Sequence, residues 1–134
     1  MPPPFSLTLP APAADIDRHG HLNNVAYVRL VQEVAAAHWH AVSTPELRAE
    51  LSWFVRRHEI DYHKPIRGGD VLELTTWVGE PTAATWERFV EIRTTPDGVL
   101  MASARTVWVL VDAATVRPRR IDARLKGLFP TAPG

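Results

Sequence analysis

Residues 24 to 41, NVAYVRLVQEVAAAHWHA, repeat Val28, Val31, Ala35 and Trp39 at spacings of three and four, and Leu30 and Val34 widen the stripe. This 3.6-residue period predicts a helix with nearly all of one side apolar, more than a helix lying on a surface requires. A flat sheet would leave its flanks wet, so the rest of the chain is expected to curl around it. Asn23 or Asn24 would serve as its N-cap, because a short amide side chain can accept from the orphan amides of the first turn.

The remaining sequence has the other period. Phe5 to Leu9 alternate as a short strand whose end is blurred by Pro10 and Pro12, after a leader at Pro2 to Pro4. Beyond residue 52 come WFVRRHEIDYHKP, VLELTTWVG with Leu72, Leu74, Thr76 and Val78 on one face, TAATWERFVEIRT, and LMASARTVWVLVD, the most apolar. Turns at 67–70 and 96–98 suggest antiparallel neighbours. Pro45 suits the start of a helical turn, and a last helix is expected from Asp122. The expectation is an α+β chain of strand, long helix and four strands, a single domain over 1–134.

Composition narrows the function. Lys plus Arg and Asp plus Glu are 15 each in 134 residues, so no bulk field draws the chain to nucleic acid or an anionic membrane. No run of apolar residues is long enough to span a bilayer and the N-terminus lacks the pattern of a signal peptide, so a cytoplasmic location is expected. There is no cysteine, which removes disulfides, thiolate metal sites and cysteine nucleophiles. None of Ser6, Ser43, Ser52 and Ser103 lies in a G-x-S-x-G elbow, and no Gly-rich phosphate loop is present. Chemistry must come from carboxylates, imidazoles, amides or the backbone.

Those groups concentrate in DIDRHGHLNNVAY, residues 15 to 27, at the predicted helix start. Capping is one reading, but it needs only one or two side chains. Metal binding by His19 and His21 with Asp15 or Asp17 is a second, though alternating residues of one loop make a poor cage. A third is acyl transfer, in which free amides at the helix end hold the oxyanion and a carboxylate attacks the carbonyl or activates water. A thioester suits this best, since its thiolate leaves with little acid assistance.

The string DIDRHGHLNNVAYVRLVQEVA resembles the signature of hotdog-fold thioesterases, in the branch of 4-hydroxybenzoyl-CoA thioesterases, and is similar to the plant acyl-ACP thioesterases. VRRHEIDYHKPIRGGDVLELTTWV resembles the family's second strand, proline and G-D turn, and EIRTTPDGVLMASARTVWVLVDAATVRPRRI its final hairpin, so the likeness covers roughly residues 6 to 125. It implies a five-stranded antiparallel sheet wrapped around one long central helix. It also implies hydrolysis of acyl-CoA or acyl-ACP without cofactor or metal, in a homodimer or homotetramer whose sites lie at the subunit interface.

Carried over by position, Asp17 falls on the catalytic aspartate, with His21, Asn23 and Asn24 as further catalytic candidates. Gly20, where the loop bends into the helix, and Tyr27, one turn along it, would bind substrate. Asp15 would fix the loop. His58, Tyr62 and Pro65 belong to a stretch, 58 to 66, expected to line the partner's pocket. Arginine's fork suits phosphate, so Arg119 and Arg120 in RPRRI are the expected contacts to coenzyme A, among Arg56, Arg57, Arg67, Arg88, Arg105 and Arg117. Trp53, Val55, Trp77, Phe89 and Trp108 are candidates for surplus apolar surface. A non-catalytic acyl-thioester-binding hotdog protein and a hotdog hydratase or dehydratase remain alternatives.

Overall fold

The side chain of Asn23 accepts from the amide of Ala26 at 2.9 Å and starts the long helix, α1 (Asn24–Val42). A computed structural model describes residues 4–129; most of the expected leader lies outside them. After α1, Thr44 caps a helix opened by proline, α2 (Pro45–Glu50), and Asp122 caps the last, α3 (Ala123–Leu128). The strands are β1 (Phe5–Pro10), β2 (Leu51–Tyr62), β3 (Val71–Pro81), β4 (Thr85–Thr94) and β5 (Leu100–Asp112). They form one antiparallel sheet in the order β1-β3-β4-β5-β2. This is the hotdog fold.

The order corrects one expectation. The turn at 67–70 does not join neighbours: β2 lies on the edge beyond β5, whereas β3 sits between β1 and β4. The strand also stops at Tyr62 rather than running to Pro65. Residues 63 to 70 cross from one side of the sheet to the other. The amides of His63 and Lys64 donate to Met101 O, that of Leu22 donates to Ile66 O, and that of Asp70 donates to Arg67 O. The crossing therefore pairs with β5 and with the loop before α1, not with a hairpin partner.

Strand alternation decides what α1 touches. Leu72, Leu74, Val90, Ile92, Ala102 and Ala104 pack with Tyr27, Leu30, Val31 and Val34 of the helix. Beyond them, Trp86, Leu110, Leu125 and Phe129 form a second apolar cluster near the helix end. Between the two runs a row in register, Val78, Arg88, Thr106 and His58, one residue from each of four strands. His58 Nδ1 lies 2.8 Å from Thr106 Oγ1, and Arg88 donates to Thr76 Oγ1 at 2.9 Å and meets His38 Nδ1 at 2.9 Å. Arg88, grouped from the sequence with the arginines suited to phosphate, is thus in the interior. The enclosure of α1 is one-sided, for Val25, Arg29, Gln32, Glu33, Ala36 and His40 remain exposed. Of the five surplus apolar residues, Trp77 and Phe89 stack on the outer face, while Trp53, Val55 and Trp108 fall on the helix side. Among the described residues no helix is long and apolar enough to cross a membrane.

Burial, with the Arg88 charge adding to it, pushes the His38 imidazole down to about 4 from its ordinary 6.5. The folded chain therefore binds fewer protons here than the unfolded chain between those values. This contribution is complete above about pH 6.5 and lost as the pH falls toward 4. Melts of the native protein should drop across that window, and His38→Gln should flatten part of the slope. Parallel pH profiles for the two proteins would rule the linkage out.

Candidate active site

The loop into α1 is built by its own polar residues. Asp17 O accepts from the Gly20 amide and the Asp17 amide donates to His21 O, closing a tight turn in which Gly20 takes a φ of 82°, a value that favours glycine. Asp17 Oδ1 accepts from the amides of His19 at 2.8 Å and His21 at 3.1 Å. Asp15 accepts the Asn23 amide through its carbonyl and pairs through its carboxylate with Arg29, the bracing role expected of it. Ile16 and Leu22 bridge across the turn, and His21 bridges to Arg67 of the crossing segment.

A cavity of about 410 Å³ opens where this loop, the start of α1 and the crossing segment meet. It is lined by Asp17, His21, Asn23, Asn24, Tyr27, Tyr62 and Pro65, so seven of the residues singled out in the sequence converge. Gly20 shapes the loop but is not on the wall. His58 lies further down β2 in the polar row, its ring near Gln32 of α1, and burial holds its pKa below the ordinary value. Arg119 and Arg120 are not brought to the cavity of their own chain. Arg119 is bound by Glu50 and Asp112, and Asp112 pairs with Leu51 at the end of β2 opposite Tyr62, about 35 Å away at 3.3 Å per residue. Lys64, which sequence reasoning did not name, is on the wall, as are Leu22 and His63. Its signal was its place in HKP, directly before a proline that leaves the strand.

The electrostatics favour an anion facing backbone donors. The His21 amide, followed by that of His19, holds the Asp17 carboxyl below its usual range despite the opposing effect of desolvation, so it is ionised at neutral pH. The side chain is exposed, and its Oδ2 accepts no hydrogen bond among the described residues. At the helix start Asn23 takes the Ala26 amide, while those of Asn24 and Val25 donate to no acceptor among the described residues. Such first-turn N–H groups have no intrahelical partner and carry the positive end of the helix dipole. Tyr27 is buried and its hydroxyl accepts from the Ile66 amide at 3.1 Å, with its ring edge-on to Tyr62 at 4.9 Å. Burial raises its pKa. No group of three or more His, Cys, Asp or Glu among the described residues is arranged to hold a metal ion.

A single sheet around a capped helix, with a carboxylate and unpaired amides at the helix start, defines a class before any comparison. The family model of the thioesterase-like superfamily matches residues 11–129, and the chain belongs to that family. It is 31% identical over 86 residues to the chloroplastic palmitoyl-acyl carrier protein thioesterase of Arabidopsis thaliana, covering 63% of this chain and 21% of that one. The chain therefore spans about a fifth of the length of the curated relatives it matches. Among solved structures, a 1,4-dihydroxy-2-naphthoyl-CoA thioesterase from Synechocystis superposes with a TM-score of 0.82 at 15% identity, over 94% of this chain and 95% of that one. A Staphylococcus aureus protein solved in complex with CoA gives a TM-score of 0.82 at 16% identity, over 93% and 80%.

Replacing Tyr27 by Phe removes the acceptor for the Ile66 amide, and Ile66 is fully buried. A buried donor left unpaired costs about 1–3 kcal/mol. Urea unfolding of Tyr27→Phe should show a loss of that size; an unchanged midpoint would mean the bond contributes nothing.

Proposed function

We propose that this chain hydrolyses an acyl thioester in the cavity at the start of α1. The observation that carries the reading is the convergence of an ionised, exposed Asp17 with Asn24 on one cavity wall, at a helix start whose Asn24 and Val25 amides are unpaired among the described residues. The thioester carbonyl lies with its oxygen toward those amides, which hold the charge that develops as the carbon is attacked. Asp17 either attacks that carbon or takes a proton from the water that does. The C–S bond then breaks and the thiolate leaves and is protonated; after direct attack a water hydrolyses the mixed anhydride left on Asp17, and by either route the acid is released and the carboxylate restored. His21, Asn23 and Asn24 orient the reacting groups, and Tyr27 and Tyr62 flank the acyl group.

Both carriers find support, the acyl carrier protein from the Arabidopsis relative and coenzyme A from the two solved structures. Lys64, on the cavity wall, is better positioned within one chain to meet a carrier phosphate than Arg119, whose charge is already paired. The active unit is a homodimer joined along β2. This edge strand is twelve residues long with one side of its backbone unpaired, and Phe54 and Tyr62 on it are each 48% exposed. Joined there, the exposed stripe of α1 and residues 58 to 66 would reach the partner's cavity.

Thiol release from a thioester panel tests the chemistry. Asp17→Asn should lower kcat by roughly 10²-fold or more with little change in KM, whereas undiminished turnover would sink the assignment. Asn24→Pro removes one amide at the first helical position, where proline is tolerated and where Asn23 already has a compatible ψ of 153°. It should cost roughly 10²–10³-fold in kcat if that amide holds the oxyanion, with Asn24→Ala as the control for the side chain. Sedimentation should give a mass of at least two chains; a monomer with full activity would remove the dimer from the proposal.

A further inference from the structure

A second cavity, of about 240 Å³, lies at the other end of α1, beyond the polar row. Its walls are Trp39, Trp53, Trp86, Trp108 and Phe129, and Arg88 enters from β4. Four of the chain's five tryptophans line it, so it is an aromatic chamber with a cation in it.

The cation lacks a counter-charge. Arg88 is 6% exposed, and among the described residues no carboxylate comes within ion-pair distance of it. Glu87, which also borders the chamber, is bound by Arg105 at 2.8 Å. Nη1 of Arg88 is engaged with Thr76 and His38, and its plane lies 5.6 Å from the Phe129 ring. Nε and Nη2 donate to no group among the described residues. Burial lowers its pKa only to about 10, so the charge persists at neutral pH. A second donor on the same walls is also unmet: the indole N–H of Trp108 is buried with no acceptor among the described residues, whereas that of Trp86 donates to Gly79 O.

Buried guanidinium without an anion is costly, and an aromatic chamber offers it none. Arg48 also borders the cavity, half-buried and with its Nη1 donating to the carbonyls of His40 and Ser43. The buried charge of Arg88, an additional N–H and apolar walls match a ligand with one negative charge, planar acceptors and an apolar body. That is a carboxylate, the planar anion that a guanidinium fork meets bidentately. The volume is below the ~300–1,000 Å³ usual for drug-sized ligands. We propose that this chamber binds a small apolar carboxylic acid, its carboxylate forked onto Arg88 and its body held among the tryptophans. The acid is either a free molecule or the far end of an acyl chain that carries a terminal carboxylate. From Tyr27 at the first cavity to Ala35 at the chamber is about 12 Å along the helix, within reach of a medium-length chain.

Tryptophan emission reports binding without turnover, so this proposal can fail or hold apart from the hydrolase reading. Octanoate should change the emission saturably and bind roughly tenfold or more tightly than 1-octanol, which shares its chain and lacks its charge. Arg88→Met should abolish that preference. The acid–alcohol comparison in the native protein stands alone should the variant not fold. Equal binding of the two probes, or no saturable response to octanoate, would overturn the proposal. The source is resolved by comparing octanoyl-CoA with its ω-carboxylated counterpart. A kcat/KM preference of tenfold or more for the latter, lost in Arg88→Met, supports the acyl terminus. Octanoate binding without that preference supports a free acid.

Discussion

Holding the first turn of the helix against the sheet is the condition on which everything else in the site depends, and the buried pair of Ile66 amide and Tyr27 hydroxyl supplies it. Ile66 also accepts the Leu22 amide, so one residue of the crossing segment is bound to the helix and to the loop that precedes it. Both are polar contacts made where water is excluded, and they are therefore directional in a way that the surrounding apolar packing is not. They orient the helix start, which in turn sets where the Asn24 and Val25 amides point. Asp17 is positioned by a separate device, the two amides of its own turn. The carboxylate and the amide end of the helix are thus held by different bonds that are joined through the crossing segment, to which His21 bridges and the Leu22 amide donates.

The sheet's inner face is divided by charge and hydrogen bonding as much as by shape. Thr76, Arg88, Thr106 and His58 lie between two apolar clusters, and side chains from the helix, His38 and Gln32, meet them from above. A row of polar groups in an interior is retained only where its members satisfy one another. Most of this row does. Arg88 keeps donors to spare on the side of the aromatic chamber, while the cluster nearest the active-site loop is wholly apolar. One helix on one sheet therefore serves two compartments of different character.

Much of this was legible in the sequence for definite reasons. The period of three and four placed α1 within a residue of its true ends, and Asn23 is its cap because an amide side chain before an apolar run has that use. The polar density of residues 15 to 27 marked the loop, and it gathers at one cavity. Strand order was not legible: the glycines at 68 and 69 look the same whether a chain reverses beside itself or crosses the sheet. Arg88 could have been found. In TWERFVEIRT the alternation sets Arg88 with Trp86, Val90 and Ile92, the one cation on an apolar face, a signal that grouping it with phosphate-suited arginines passes over. Arg119 and Arg120 lie away from the cavity of their own chain, and a basic run says nothing of which end of a sheet it joins, nor of the carboxylates that meet Arg119 there.

The irregularity at Arg56 has a bearing on both compartments. Val55 pairs with Trp108 and Arg57 with Val107, so β2 carries one residue more than its neighbour at that point. Upstream of it, odd-numbered positions look inward, Trp53 and Val55 among them; downstream, even-numbered ones do, from His58 to Tyr62. The strand behaves as two pieces spliced out of phase. Losing Arg56 would make Val55 and Arg57 consecutive opposite Trp108 and Val107, a regular ladder in which Trp53 and Val55 still face the helix. The extra residue therefore bends the edge strand without choosing which side chains look inward, and one strand carries chamber walls at one end and the hydrolytic end's Tyr62 at the other.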